Sequence, residues 1–204
     1  MKITVNEFLS LDGVMQGPGG KAEDETGGFE MGGWVVPFTV DEEFGSIVSG
    51  WFDRCDALLL GRSTYQMMHD YWSKVDSDDV VTRTLNHGRK YVVSTHLTDE
   101  TATWHNTSVV PDGLDGVRRL KEQDGGELQV HGSWELAHDL HNAGLIDEYR
   151  LLIFPTVVGD GKRLFDHGST PSGFSVVDRT TTRSGATALT LRPTAFQTAE
   201  IPAP

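Results

Sequence analysis

Short apolar segments alternate with segments of helical periodicity along most of the chain. Residues 3–11 alternate between apolar and polar side chains, which is typical of a β-strand. Apolar side chains in residues 39–54 recur at helical spacing and predict an amphipathic helix. Residues 57–60 are wholly apolar, as expected for a central parallel strand that is buried on both faces. Strands that alternate with helices in this way predict an α/β fold with a mostly parallel sheet.

The pattern continues towards the C-terminus, where its character changes. It predicts a helix that follows residues 61–64 and runs through Met68, and further helices near residues 79–86, 114–122 and 133–143. Strands are predicted over residues 90–94, 127–131 and 148–154. Residues 174–182 and 187–192 then alternate around a Ser-Gly pair, which predicts an antiparallel hairpin. We therefore expect one domain over residues 1–193 and a frayed C-terminal tail over residues 194–204.

Residues 17–33 form a glycine-rich segment that aromatic and other apolar side chains interrupt. Such a segment is too apolar for a disordered linker. Loops of this length inside one domain usually serve function, so we expect an ordered loop over a pocket.

Several single residues allow further predictions about local structure. Thr39 and Glu42 have the spacing of a capping box at the start of the first helix. Cys55 is expected to be a small core residue on that helix. His138 and His141 are expected to point away from the buried face of their helix, so no metal site is predicted there. Residues 149–154 predict either a buried central strand or a strand that pairs across a two-fold interface.

Composition and charge narrow the possible partners and the compartment. A single cysteine fits a reducing compartment, so we expect a cytoplasmic protein. The formal net charge of −13 disfavours nucleic-acid binding. Apolar runs stay well short of the roughly eighteen residues that a membrane span requires. Because the protein as a whole is acidic, an anionic ligand would need to be held by a few local donors.

Three strand ends carry the residue types that bind phosphate groups. One is the segment from Leu60 to Thr64, the second is Val130 to Ser133, and the third is Ser94 to His96. Glycine lets the backbone approach an anion, and the free N–H groups at a helix N-terminus attract it. Three such ends in one sheet indicate a dinucleotide, although the GxGxxG fingerprint is absent.

Long motifs resemble one family over residues 2–192. LLLGRSTYQMM is similar to a signature of the dihydrofolate reductase superfamily. FLSLDGVM and VHGSWELAHDLHNAGLIDEYRLLIFPTVVGDGKRLF are similar to the reductase domain of bifunctional riboflavin-biosynthesis deaminase-reductases. The resemblance implies a dihydrofolate reductase-like three-layer fold, with a mostly parallel sheet and a C-terminal antiparallel hairpin. It also implies NADPH as cofactor, an enzyme of the oxidoreductase class, and a homodimer.

The resemblance assigns the phosphate-competent residues to parts of NADPH. Gly61, Arg62, Ser63 and Thr64 would hold the adenosine-side phosphates, Ser94 and Thr95 the ribose 2′-phosphate, and Gly132, Ser133 and Trp134 the pyrophosphate. Asp12, Gly13 and the loop that follows would cover the nicotinamide and the substrate. His96 replaces an arginine that many relatives carry beside the 2′-phosphate.

The substrate side offers fewer candidates. Asp12 and Glu43 are the carboxylates that we predict to act in catalysis, with Asp41 and Glu42 competing for the role of Glu43. Trp34 and Phe38 are expected to stack on a flat heterocyclic substrate.

Three functions remain open at this point. The first is reduction of 5-amino-6-(5-phosphoribosylamino)uracil in riboflavin synthesis. The second is reduction of dihydrofolate or another pterin-like compound. The third is NADPH binding without turnover.

Overall fold

The computed structural model describes residues 1–200, and its core is one eight-stranded sheet in the order β4-β3-β2-β5-β1-β6-β8-β7. Strands β1 to β6 run parallel to one another, whereas β8 is antiparallel to β6 and β7 is antiparallel to β8. The strands are β1 Lys2–Ser10, β2 Cys55–Gly61, β3 Arg89–Val93, β4 Thr107–Val110, β5 Glu127–His131, β6 Glu148–Phe154, β7 Gly173–Thr181 and β8 Thr187–Thr194. The predicted parallel sheet with a C-terminal hairpin is therefore confirmed.

Five α-helices cover the two faces of the sheet and complete three layers. They are α1 Glu42–Phe52, α2 Arg62–Trp72, α3 Val80–His87, α4 Gly113–Lys121 and α5 Trp134–Asn142. Helices α4 and α5 pack on one face, around Ile3, Val5 and Val130. Helices α1, α2 and α3 pack on the other face, around Leu58 and Leu60. Strand β2 is apolar throughout its middle because both of its faces are buried.

The structure corrects the predicted start of α1. The residue before the helix is Asp41, whose side chain accepts the N–H of Glu43. Thr39 lies in the preceding turn, where its hydroxyl donates to the carbonyl of Val36. The capping box of Thr39 and Glu42 is therefore wrong, because an aspartate closer to the helix takes the free N–H groups.

Two further expectations about single residues are corrected. Cys55 begins strand β2 and does not lie on a helix, and burial raises the pKa of its thiol to about 12. His141 is buried, contrary to the expectation that it points away from the core. Its imidazole contacts the hydroxyl of Tyr149 at 2.8 Å and the carbonyl of Thr170 at 2.9 Å.

The position of β6 decides between the two interpretations of residues 149–154. Strand β6 pairs with β1 on one side and with β8 on the other, so it is a central strand. The short edge strand β4 was not predicted. No helix within residues 1–200 is long and apolar enough to cross a membrane. The predicted tail of residues 194–204 overlaps the end of β8 at Thr194, and its last four residues lie outside the described part of the chain.

Candidate active site

Two turns that are distant in sequence interlock at the C-terminal edge of the sheet. The N–H of Gly61, which ends β2, donates to Ser133 Oγ at 2.9 Å. The N–H of Ser133, which follows β5, donates to Thr64 Oγ1 at 3.0 Å. Gly132 and Ser133 both adopt the left-handed conformation, with φ of 60° and 58°. The β2–α2 turn and the β5–α5 turn are thus held together as one unit.

This unit presents two helix N-termini side by side. Among residues 1–200, no side chain caps either helix. The residue before α2 is Gly61, which has no side chain, and the hydroxyl of Ser133 before α5 is engaged by the neighbouring turn. Free N–H groups and the helix dipole favour an anion at such a position. Arg62 and Ser63 open α2 with exposed side chains. The predicted residues Gly61, Thr64 and Ser133 are therefore brought together, and the donor set fits an anionic cofactor.

The third predicted strand end lies beside the other two. Strand β3 pairs with β2, and Val93 stands opposite Gly61 in the register. The hydroxyl of Ser94 is buried and accepts the N–H groups of His96 and Leu97, both at 3.1 Å. Ser94 therefore shapes this turn, whereas Thr95 and His96 expose their side chains at the edge of the site.

Trp134 joins the site to the segment that follows β6. It is the first residue of α5, and its indole N–H donates to the carbonyl of Arg163 at 2.9 Å. The ring is half-buried against the core beneath α5. The structure thus gives the Trp134 side chain a packing role at the predicted pyrophosphate position.

Asp12 is the anchor of the loop after β6. Its carboxylate accepts the hydroxyl of Ser10 at 2.7 Å and the N–H groups of Val158 and Gly159 at 3.0 and 2.9 Å. Arg163 Nη2 lies 3.2 Å from Asp12 Oδ2. The Ser10 hydroxyl and the backbone N–H groups hold the pKa of Asp12 well below its usual range. These contacts keep Asp12 ionised and favour loop positioning over proton donation.

The glycine-rich loop is ordered by contacts to this same segment. Gln16 Nε2 donates to the carbonyls of Asp24 and Thr26 at 3.1 and 2.9 Å. Lys162 pairs with the Asp24 carboxylate at 2.7 Å. Gly13 forms the turn between β1 and the loop with φ of 80°. The loop is therefore ordered by specific contacts, whereas the expected pocket beneath it stays a prediction.

Aromatic side chains gather where the loop meets α1 and the end of β6. The rings of Trp34 and Phe38 lie 5.8 and 5.2 Å from the ring of Phe154, and Phe44 lies 5.5 Å from Phe8. We call this set, Phe8, Trp34, Phe38, Phe44 and Phe154, the aromatic cluster. All of its members except Phe154 are only half-buried, so the cluster offers an apolar surface made of mutually tilted rings.

Glu43 lies at the N-terminal end of α1 and contacts the C-terminal hairpin. Its carboxylate accepts the N–H of Arg183 at 2.7 Å, and the neighbouring Asp41 accepts the N–H of Ser184 at 2.8 Å. Glu43 thus anchors the turn between β7 and β8, whereas Asp12 anchors the loop after β6. The two predicted carboxylates serve different segments in this structure.

Two buried titratable residues at the site were missed as candidates, His131 and Glu7. His131 ends β5, and its Nε2 lies 3.0 Å from Gln129 Oε1. Gln129 Nε2 donates to the Trp51 carbonyl and to the Glu127 carboxylate, so its oxygen must accept from His131. His131 therefore carries its proton on Nε2. Burial and the charge of Arg150 lower the pKa of His131 to about 3, so the ring is neutral.

Glu7 is a polar residue in the buried middle of β1, and the alternation of that strand could have singled it out. It lies on the α5 face with Ile3, Val5 and Leu9, which are all apolar. The N–H of Gly132 faces its carboxyl group. Burial raises the pKa of Glu7 well above its usual range.

Comparison with known proteins assigns the chain to a family. The family model of the RibD C-terminal domain matches residues 1–191. The uncharacterised protein YyaP of Bacillus subtilis (strain 168) is 27% identical over 169 residues, which are 80% of each protein.

Solved structures share the fold at lower sequence identity. A protein of Shewanella sp. PV-4 that is assigned to riboflavin biosynthesis has a TM-score of 0.67 at 20% identity, with 95% of this chain and 99% of that chain covered. Dihydrofolate reductase from Enterococcus faecalis, in complex with NADP(H), has a TM-score of 0.55 at 12% identity, with 94% and 96% covered. The fold is thus dihydrofolate reductase-like. Because the family model matches nearly the whole length, this chain belongs to the RibD C-terminal domain family.

Proposed function

We propose that this protein is a reductase that binds NADPH across the interlocked β2–α2 and β5–α5 turns. The observation that carries the proposal is the pair of uncapped helix N-termini, which Ser133 holds side by side with Arg62 at their rim. This arrangement concentrates N–H donors on an anion, although the protein as a whole is acidic. Relatives of the family and the dihydrofolate reductase-like fold support the same cofactor class.

The residues of the site would bind and orient the cofactor and the substrate, and the cofactor would supply the hydride when bound. Arg62 and the N–H groups of α2 would hold the adenosine-side phosphates. The N–H groups in the first turn of α5, which begins at Trp134 directly after the Gly132–Ser133 turn, would hold the pyrophosphate. Thr95 is exposed at the end of β3 and would contact the ribose 2′-phosphate. Asp12 would keep the loop after β6 in place and so exclude water from the reacting carbon.

The aromatic cluster supports a flat heterocyclic substrate. 5-Amino-6-(5-phosphoribosylamino)uracil is the first candidate, and its phosphate would require a free cation near the glycine-rich loop. Lys162 and Arg163 already pair with Asp24 and Asp12, which leaves the exposed Lys21 on that loop. Because Lys162 and Arg163 are paired, little positive charge remains for a substrate phosphate. An uncharged pterin-like ring is therefore the second candidate substrate.

The third candidate is NADPH binding without turnover. It is supported by the two predicted carboxylates, because Asp12 is engaged by a loop and Glu43 by the hairpin. This hypothesis predicts tight cofactor binding and no oxidation of NADPH with either class of substrate.

The first test is a titration of the purified protein with NADPH and NADH, followed by cofactor fluorescence. Arg62→Ala should weaken NADPH binding about tenfold, or about 1.4 kcal/mol, because one phosphate loses its cationic partner. Arg179→Ala is the matched control, since Arg179 is an exposed arginine on β7. Binding of neither nucleotide to the wild-type protein would refute the proposal.

A second test identifies the substrate class. Oxidation of bound NADPH is measured with the phosphoribosylaminouracil compound and with dihydrofolate in separate assays. Turnover of the first alone supports the riboflavin-pathway reaction, and turnover of the second alone supports the pterin hypothesis. Binding without turnover of either favours a binding module.

We also propose a cytoplasmic homodimer, as the family resemblance implies. The edge strand β7 supports an assembly, since it exposes Val176 and Val177 along an edge of the sheet that pairs with no further strand within residues 1–200. Light scattering after size-exclusion chromatography would distinguish a dimer from a monomer.

A further inference from the structure

Glu7 is a buried carboxyl group directly below the proposed pyrophosphate site. Its side chain is 5% exposed and lies in the middle of the central strand β1. In the register of the sheet, Asn6 stands opposite His131, so Glu7 reaches the level of Gly132. The N–H of Gly132 faces the carboxyl group. The acid therefore supports the same turn that would receive the anion.

One oxygen of this acid has no partner. Glu7 Oε1 is buried and makes no hydrogen bond to any of residues 1–200. An unsatisfied charged oxygen in the interior is strongly unfavourable, whereas a protonated acid is tolerated there. In the protonated form the carboxyl group also offers an O–H donor.

The N–H of Gly132 favours the ionised form of Glu7, but the side chains packed against Glu7 on this face are apolar. Strands β5 and β6 present Val130 and Leu151 on this face, and α5 presents apolar residues such as Leu136. The negative charge of Glu23, on the glycine-rich loop, also raises the pKa of Glu7. Glu23 is itself acidic, and its carboxylate accepts the N–H groups of Gly19 and Gly20. A second negative charge at Glu7 would therefore repel Glu23 and loosen the loop.

We propose that Glu7 is a proton-linked positioning residue of this site, and that the dinucleotide binds only while the Glu7 carboxyl group is protonated. The inference rests on the proposed function, because it concerns the same cofactor. A dinucleotide on the Gly132–Ser133 turn brings phosphate charge close to Glu7. Ionised Glu7 would repel that charge from below and would move Glu23 and the loop above. The protonated acid avoids both effects and keeps the turn in its left-handed conformation.

The test is the dissociation constant of NADPH as a function of pH for the wild-type protein and Glu7→Gln. Glutamine has nearly the same shape and cannot ionise. Because burial raises the pKa of Glu7, wild-type binding should weaken at least tenfold as the pH rises from neutral through that raised pKa. Binding by Glu7→Gln should stay nearly constant over that range. Glu122→Gln is the control, since Glu122 is an exposed acid at the C-terminal end of α4, outside the proposed site.

A second measurement uses only the wild-type protein, in case the variant fails to fold. Calorimetric titration with NADPH at the pH where wild-type binding begins to weaken, in buffers with different heats of ionisation, reports the protons exchanged on binding. Uptake of protons supports the proposal. Equal pH dependence of the wild-type protein and Glu7→Gln, or binding without proton uptake, would overturn it while leaving the proposed function intact. Absence of nucleotide binding at every pH would overturn both.

Discussion

The tautomer and the charge of His131 are set by residues that lie outside its own motif. Gln129 fixes the tautomer of His131, and the Glu127 carboxylate and the Trp51 carbonyl in turn fix the amide of Gln129. The Phe52 ring stacks on the imidazole at 4.6 Å and excludes water from it. A protonated His131 would place a positive charge near Arg150 inside the core, so the folded state requires the neutral ring.

We predict that this requirement makes the protein sensitive to acid. The pKa of His131 is about 3 in the folded state and about 6.5 in the unfolded chain. Because the folded pKa is lowered, the stabilisation is present above pH 6.5 and is lost as pH falls towards 3. The loss between pH 7 and pH 5 should be about 2 kcal/mol in the free energy of unfolding, measured by urea denaturation.

Two variants separate this effect from general acid sensitivity. His131→Gln should flatten the loss between pH 7 and pH 5, because glutamine does not titrate. His105→Gln removes an exposed histidine and should retain the full loss. An unchanged pH dependence in His131→Gln would refute the assignment.

At the scale of elements, a buried ion network joins the three central strands. Arg150 on β6 contacts both carboxylate oxygens of Glu127 on β5, at 2.6 and 2.5 Å. It also contacts Glu148 at 2.8 Å, and Lys2 on β1 contacts the same carboxylate at 2.9 Å. Arg150 and Glu148 are almost fully buried, so each charge depends on the other. The network thus fixes the partners of β1, β5 and β6 at the edge opposite the candidate active site.

Removal of the central cation should be costly. Arg150→Met leaves Glu148 and Glu127 as buried charges with reduced pairing, and we expect a loss of about 3–5 kcal/mol in the free energy of unfolding. Arg118→Met is the control, since Arg118 pairs with Asp115 on the exposed surface of α4. The control should cost less than about 0.5 kcal/mol. Similar losses in chemical denaturation of the two variants would contradict this account.

At the scale of the whole molecule, the candidate site exists only where two distant turns meet. Gly132 occupies φ of 60°, and a Cβ atom there would stand 3.2 Å from Thr64 Cγ2 on the opposite turn. Gly144, which follows α5, has φ of 63°, and a Cβ atom added to it would meet no other atom within 4 Å. The two glycines share the same backbone requirement but differ in what surrounds them.

Substitution of Gly132 and of Gly144 therefore provides a test of the site with a matched control. Gly132→Ala and Gly144→Ala should each lower the free energy of unfolding, measured by thermal denaturation, by about 1–2 kcal/mol, because alanine disfavours the left-handed conformation. Only Gly132→Ala should also weaken NADPH binding, since its methyl group pushes the two turns apart. Equal NADPH affinity in both variants would show that the interlock is not required for binding.

Periodicity along the chain determined the elements, because burial on one or two faces leaves a local signature. The boundaries of β5 and β6 agree with the predicted ranges, and the C-terminal hairpin lies where alternation indicated it. The exceptions have physical reasons. Strand β4 spans four residues at the edge of the sheet, which is too short for a periodic signal. The start of α1 depended on which of several polar residues reached the free N–H groups.

The sequence by itself also led to the prediction that three strand ends bind an anion, because glycine, hydroxyl and arginine side chains are typical of that chemistry. Only the tertiary structure decided which of these groups are free. It engages the hydroxyl of Ser133 with Gly61 and the carboxylate of Asp12 with a loop more than a hundred residues away. It also buries Glu7 and His131 beside the site. Hydrogen-bond partners and desolvation arise from residues far apart in the chain, so no local pattern could have revealed them.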